Sequence, residues 1–73
     1  MKRFVDEEGR EWDVVLGRES WGSLLALFVP RGAGSPRQAT LAGSDHNTAQ
    51  QELDALDDAA LAEMLRRSVP KSE

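Results

Sequence analysis

A run of six apolar residues, 24–29, constrains the fold of this chain more than any other feature of its sequence. Gly22 precedes the run and Pro30 ends it, and both residue types interrupt regular elements. A short apolar run between two such breakers favours a central strand that is covered on both faces, although periodicity alone leaves a buried helix as the alternative. We therefore predict a strand over residues 23–29.

The preceding segment, residues 4–16, has the pattern of a β-hairpin. Asp6 suits the start of a type I turn, and Gly9 suits its left-handed closing position. A three-residue loop over residues 7–9 fixes the register, which pairs Asp6 with Arg10, Phe4 with Trp12, and Arg3 with Asp13. The aromatic pair then lies on one face, and both charged pairs have opposite sign, as stable cross-strand pairs do.

Three segments around the apolar run complete the predicted sheet. Residues 17–22 contain two glycines and a serine, so we expect them to connect the hairpin to the central strand. Residues 30–36 contain two prolines and two glycines, which predicts an exposed, mobile loop. Residues 37–42 alternate polar and small apolar side chains, which indicates a weaker strand at the edge of the sheet.

The second half of the chain has helical patterns. Thr48 and Gln51 have the spacing of a capping box, which predicts a helix that begins near Asn47 or Thr48. Asp57 interrupts the apolar stripe with a residue type that favours helix N-termini. We predict two helices, over residues 48–55 and 58–68, with Asp57 as the second N-cap. A single helix that continues through Asp57 is the alternative.

Together these elements predict one small α+β domain over residues 1–73, with an antiparallel sheet of three to four strands followed by one or two C-terminal helices packed on one face. The sheet occupies residues 1–42 and the helical segment residues 47–68, while residues 69–73 form a frayed tail after the last helix. The predicted core residues are Phe4, Trp12, Val14, Leu16, Leu25, Leu27, Val29, Leu41, Leu53, Leu56, Leu61 and Leu65.

Composition limits the classes of protein to which the chain can belong. The absence of cysteine excludes disulfides and thiolate metal sites, and the longest apolar run is far shorter than the ~20 residues of a membrane-spanning helix. Acidic residues 6–8 stand where a signal peptide needs apolar ones, so we expect a cytoplasmic protein. Seven arginines against two lysines are typical of a GC-rich genome, so we expect a bacterial source.

No combination of residues in the sequence indicates catalysis, a cofactor or a metal. His46 is the sole histidine, and the motif Gly-x-Ser-x-Gly is absent. Asp57 and Asp58 are adjacent, so on a helix they project about 100° apart and do not converge as an acid–base pair. Residues 32–35 lack the Gly-Lys-Ser/Thr ending of a phosphate-binding loop. We therefore expect a protein without catalytic activity, cofactor or bound metal.

The apolar run instead indicates an interaction surface. Because every residue of the run is apolar, the second face of the sheet is expected to show Leu24 and Phe28 beside Val15. A protein partner or a second copy of the chain in a homodimer would cover this face. The alternative is cover by the chain's own loop or by arginine side chains. Trp21 lies between glycines and is a candidate interface anchor, because tryptophan is enriched at binding hot spots.

Nucleic-acid binding is the alternative function. The net charge is −4, and the excess of acidic residues lies entirely in residues 43–73. Arg18, Arg31 and Arg37 could form a local basic surface, and Trp21 and Phe28 could stack on bases. Net acidity lowers this expectation, because proteins that hold a phosphate backbone are usually basic. The acidic helices could instead contact a basic surface of a nucleic-acid-handling assembly.

Overall fold

A computed structural model describes residues 2–18, 22–43 and 45–70 of the chain. It contains an antiparallel sheet of five strands in the order β1-β2-β3-β4-β5, with two helices packed on one of its faces. The elements in chain order are β1 (Lys2–Val5), β2 (Glu11–Arg18), β3 (Leu24–Pro30), β4 (Arg37–Thr40), α1 (His46–Ala55), α2 (Asp58–Arg67) and β5 (Val69–Pro70). The predicted α+β class is confirmed, with slightly more strands than expected.

The first hairpin has the predicted register. Phe4 pairs with Trp12 and Arg3 with Asp13. The backbone N–H of Gly9 donates to the carbonyl oxygen of Asp6 at 3.1 Å, and Gly9 has φ +84°, a left-handed conformation that glycine adopts without strain. The turn is therefore set by the two residue types that identify it in the sequence.

The apolar run forms the central strand β3, so the helical alternative is wrong. Its pairing with β2 extends from Trp12 opposite Pro30 to Arg18 opposite Leu24. Because Gly17 and Arg18 belong to β2, the expected connection over residues 17–22 begins later than predicted. Residues 19–21 of that connection, including Trp21, lie outside the described residues.

The prediction that the fourth strand forms an edge is wrong, and so is the prediction that residues 69 and 70 belong to a frayed tail. Val69 pairs with Gln38, and Pro70 pairs with Arg37. The Arg37 side chain donates from Nε to Ser68 Oγ at 2.8 Å and from Nη2 to the Ser68 carbonyl oxygen at 2.7 Å. Proline is tolerated in β5 because an edge strand can lack an N–H donor. Residues 71–73 of the predicted tail lie outside the described residues.

Two helices are present, as predicted, and the single-helix alternative is wrong. Asp57 is the N-cap of α2, and its carboxylate accepts a hydrogen bond from the backbone N–H of Ala60 at 2.9 Å. The start of α1 differs from the prediction, because Asp45 is the N-cap. Its carboxylate accepts from the backbone N–H of Thr48 at 2.9 Å and from the Thr48 hydroxyl at 3.1 Å. A carboxylate three residues upstream therefore replaces Thr48 in the capping role.

The core lies between the helices and one face of the sheet. Its buried residues are Phe4, Trp12, Val14, Leu24, Ala26, Phe28, Leu41, Ala49, Leu53, Leu61, Ala62 and Met64, with Leu16, Ala39, Leu56 and Leu65 packed against them. The predicted orientation of the central strand is wrong, because Leu24, Ala26 and Phe28 face the helices, whereas Leu25, Leu27 and Val29 lie on the opposite face. Leu25 is nevertheless buried, as predicted, at 5% exposure, while Leu27 is half-buried and Val29 is 40% exposed. Phe28 pairs with Val14, and paired residues of neighbouring strands point to the same face.

Candidate interaction surface

The face of the sheet that points away from the helices is called the open face. It consists of four rows of residues that lie side by side across the strands. The rows are Gly17, Leu25 and Thr40; Val15, Leu27, Gln38 and Val69; Arg3, Asp13 and Val29; and Val5, Glu11 and Arg31. No helix among the described residues packs on this face.

The first two rows form an apolar half of the open face. Leu25 is buried at 5% exposure, Val15 and Leu27 are half-buried, and Val69 at the edge is 54% exposed. Val29 in the third row continues this apolar surface at 40% exposure. Val15 pairs with Leu27, and Leu25 and Val29 lie two residues before and after Leu27 on the same face of β3, so these four apolar side chains are contiguous. Gln38 separates Leu27 from Val69 at the edge.

The last two rows form a charged half with balanced charge. The Asp13 carboxylate lies 3.4 Å from Arg3 Nε and 3.3 Å from Arg31 Nη1. Arg31 also lies 3.5 Å from the Glu11 carboxylate through its Nε. Two arginines and two acids therefore neutralise one another. Because Arg3, Arg31 and Glu11 are exposed and the Asp13 side chain keeps 19% of its surface in contact with solvent, each ion pair contributes little to folding stability, roughly 0–1 kcal/mol.

Leu27 fills the space beside the Gly17 backbone within the apolar half. A Cβ atom placed on Gly17 would lie 2.6 Å from Leu27 Cδ1 and 2.8 Å from Leu27 Cγ. The leucine side chain thus occupies the space above residue 17 that a side chain there would fill. Glycine inside a strand often marks such a close approach. The Leu27 side chain therefore leans over Gly17 at the centre of the open face.

Within the described ranges, the predicted interaction residues do not form one exposed surface. The expected position of Leu24 and Phe28 on the second face is wrong, because both lie under the helices at 5% and 0% exposure. Leu27 and Val29, which were expected in the core, lie on the second face in their place. The contribution of Trp21 stays a prediction, because this residue lies outside the described part of the chain.

The three arginines of the predicted basic surface lie in different places. Arg18 is exposed at the end of β2, whereas Arg31 lies beside the start of that strand, roughly 23 Å away at the usual rise per residue. Arg31 pairs with acids of the open face, and Arg37 is half-buried against Ser68. These side chains therefore do not form a single basic surface.

The helical side of the molecule carries the excess of negative charge. Residues 45–67 contain the acids Asp45, Glu52, Asp54, Asp57, Asp58 and Glu63 against Arg66 and Arg67. Arg66 pairs with Glu63 and also with Glu7, whose carboxylate lies 2.9 Å away at the hairpin turn. Hydrogen bonds to Glu63 and Glu7 raise the pKa of the Arg66 guanidinium. The two sides of the molecule thus differ in charge, one neutral and the other acidic.

A groove of about 340 Å³ lies between the hairpin turn and α2. Its charged lining residues are Asp6, Glu7, Glu8, Arg10, Arg37 and Arg66. Many of these groups are already engaged, since Asp6 holds the turn, Arg37 holds Ser68 and Arg66 pairs with Glu7. We therefore assign the groove a structural role. Among the described residues, no group of three or more potential metal ligands is close enough to hold an ion.

No helix within the described ranges has the length and apolar character needed to cross a membrane. Comparison with protein-family models, with curated proteins and with solved structures finds no match to this chain. Function is therefore inferred from the geometry and charge of the chain alone.

Proposed function

We propose that this chain is a non-catalytic interaction module that acts by self-association, and that its open face packs on the same face of a second copy. The observation that carries the proposal is the unequal cover of the sheet. Helices bury one face, while the other carries Val15, Leu27 and Val29 without a helix over them among the described residues. Pairing two such faces removes both from water at once.

The distribution of charge favours a second copy as the occupant. The charged half of the open face is neutral overall, so two copies can meet there without net repulsion. The acidic helices lie on the opposite side of each sheet, which keeps the two negative surfaces apart in the pair. Screening at physiological salt acts over about 8 Å, so their residual repulsion across two layers is small.

The size of the molecule sets an upper limit on the area of the interface. The molecule measures 32 × 29 × 19 Å, so its broadest outline covers about 900 Å². A stable pair of proteins buries about 800 Å² on each partner. Two sheets packed face to face lie about 10 Å apart, as in β-sandwiches. A homodimer of ordinary size would therefore use most of this outline on each copy.

The test measures molar mass by sedimentation equilibrium over a range of micromolar concentrations. Wild type is compared with Val29→Lys on the open face and with Ala59→Lys on the exposed surface of α2. Both variants gain the same charge, so they are matched for electrostatics. We expect a dimer for wild type and Ala59→Lys, and a folded monomer for Val29→Lys. A monomeric wild type, or a Val29→Lys protein that dimerises as tightly as wild type, contradicts the proposal.

A further inference from the structure

The glycine in β2 needs a physical explanation. Strand interiors favour β-branched and aromatic residues, and glycine weakens a strand because it loses more conformational freedom on folding. Gly17 nevertheless pairs with Leu25 inside the ladder, with no positive φ value to require glycine. Its close neighbour is the side chain of Leu27, whose Cδ1 atom would lie 2.6 Å from a Cβ at this position, so any larger residue here would make Leu27 shift.

We infer that Gly17 determines how closely a second copy can approach, because it lets Leu27 lie flat in the apolar half of the open face. This inference rests on the proposed self-association. Leu27 is at the middle of β3, the central strand, so an upright side chain there would hold two facing sheets apart. An exposed face has no such limit on the height of a leucine, whereas a packed interface requires matched surfaces. Gly17 is thus a positioning residue for the dimer.

This arrangement also suits the proposed occupant. The open face of a second copy carries the same arrangement of Leu27 over Gly17, so neither copy presents an upright leucine where the two apolar halves meet. The side chains beside the contact, Val15 and Val29, are short and β-branched, which limits how far they project. The geometry therefore fits a sheet packed on a sheet, with the leucines of both copies inside the interface.

A double-mutant cycle tests the inference. The dissociation constant of the dimer is measured for wild type, Gly17→Ala, Leu27→Ala and the double variant, with circular dichroism as the check of folding. The new methyl group forces Leu27 away from the sheet, so we expect Gly17→Ala to weaken the dimer by about tenfold or more. In the double variant the Leu27 side chain is truncated and no longer obstructs a Cβ at position 17. The effects of the two single substitutions on the free energy of dissociation are therefore not additive. A folded Gly17→Ala protein with the wild-type dissociation constant overturns the inference.

A second measurement needs no variant at position 17. In a mixed dimer of methyl-labelled and unlabelled wild-type chains, we expect intermolecular nuclear Overhauser effects between the Leu27 methyl groups and the open face of the other copy. If the intermolecular nuclear Overhauser effects of the Leu27 methyl groups reach only helix residues of the other copy, the inference is overturned. If Val29→Lys dissociates the dimer and Gly17→Ala leaves it unchanged, the role of Gly17 is contradicted but the proposed self-association is not. A wild-type monomer at all concentrations contradicts the proposed function itself.

Discussion

The indole Nε1 of Trp12 donates a hydrogen bond to Oδ2 of Asp6 at 2.9 Å, so one carboxylate joins the hairpin turn to a core side chain. The other oxygen, Oδ1, accepts from the backbone N–H groups of Glu8 and Arg10, each at 2.9 Å. Desolvation raises the pKa of Asp6, but the hydrogen bonds from Trp12, Arg10 and Glu8 and the charge of Arg10 outweigh it, so the pKa lies below its usual value. The turn is therefore stabilised by the ionised form.

We expect Asp6→Ala to lower the free energy of unfolding by about 1–3 kcal/mol at neutral pH, because it removes three hydrogen bonds and leaves the Trp12 N–H without its acceptor. Asp6→Asn retains an oxygen acceptor and should recover part of the loss. Urea denaturation measures the free energy of unfolding of both Asp6 variants, with Asp54→Ala on the exposed side of α1 as the control. Equal stability of Asp6→Ala and the control contradicts the assignment.

The pH dependence of this stabilisation has a definite sign. A carboxyl whose pKa is lowered by folding contributes stability above its unfolded pKa, about 3.9, and loses it as the pH falls through the folded value. The difference in stability between wild type and Asp6→Ala should therefore be constant above about pH 5 and become smaller below about pH 4. Urea titrations at several pH values measure it. A difference that grows on acidification contradicts this role.

The hairpin was predictable because everything that determines it is local. Asp6 and Gly9 specify the turn, and a three-residue loop leaves one register that pairs Phe4 with Trp12. The central strand was predictable as a strand but not in its orientation. Since all its residues are apolar, their pattern does not indicate which alternate set faces the helices. That choice follows from the register with β2, in which Phe28 lies opposite Val14.

The candidate site was harder to predict for the same reason. The orientation of β3 is the reverse of the predicted one, so Leu27 and Val29, which were predicted in the core, lie on the open face. Gly17 follows an alternating segment that could continue as a strand, which is a signal for a strand residue. The second glycine five residues later, Gly22, instead favoured a connection over residues 17–22. Strand β5 was not predictable from local pattern, since its anchor joins Arg37 to Ser68 across 31 residues.

That anchor can be tested with Arg37→Met, which retains the length of the side chain and removes its donors. The guanidinium makes two hydrogen bonds to Ser68, which is 6% exposed. Removing them leaves a buried carbonyl oxygen without this donor, so we expect a loss of about 1–3 kcal/mol in the free energy of unfolding. Arg18→Met on the exposed end of β2 is the matched control. Equal losses in both variants contradict the anchoring role.

Gly43 lies close to the start of α1, and Gly32 lies in open space, so the two glycines give a matched test of packing at the start of this helix. A Cβ on Gly43 would lie 2.7 Å from the backbone nitrogen of Ala49, whereas a Cβ on Gly32 would have nothing within 4 Å. Because backbone cannot move aside as a side chain can, we expect Gly43→Ala to destabilise the fold by about 1–3 kcal/mol. Gly32→Ala should change stability by no more than about 0.5 kcal/mol. Thermal unfolding measures the stability of both variants. Equal melting temperatures contradict the close approach of Gly43 to Ala49.

Phe28 and Val29 are neighbours in sequence that face opposite sides of the sheet, and a charge at each should have a different effect. Phe28 is 0% exposed, and Val29 is 40% exposed. A carboxylate at position 28 would lie in the core without a partner, which costs more than the ~5 kcal/mol of a marginal domain, so we expect Phe28→Glu to unfold the chain. Phe28→Leu, which stays apolar, should remain folded with a stability loss of about 1–2 kcal/mol.

Val29→Lys should instead remain folded, because the lysine reaches water from the open face and lies beside Asp13 in the register. Circular dichroism distinguishes an unfolded chain from a folded monomer, and sedimentation gives the mass of each variant. If Phe28→Glu remains folded and monomeric while Val29→Lys unfolds, the two faces are assigned the wrong way round. If both variants unfold, the open face is part of the core of the single chain and does not associate.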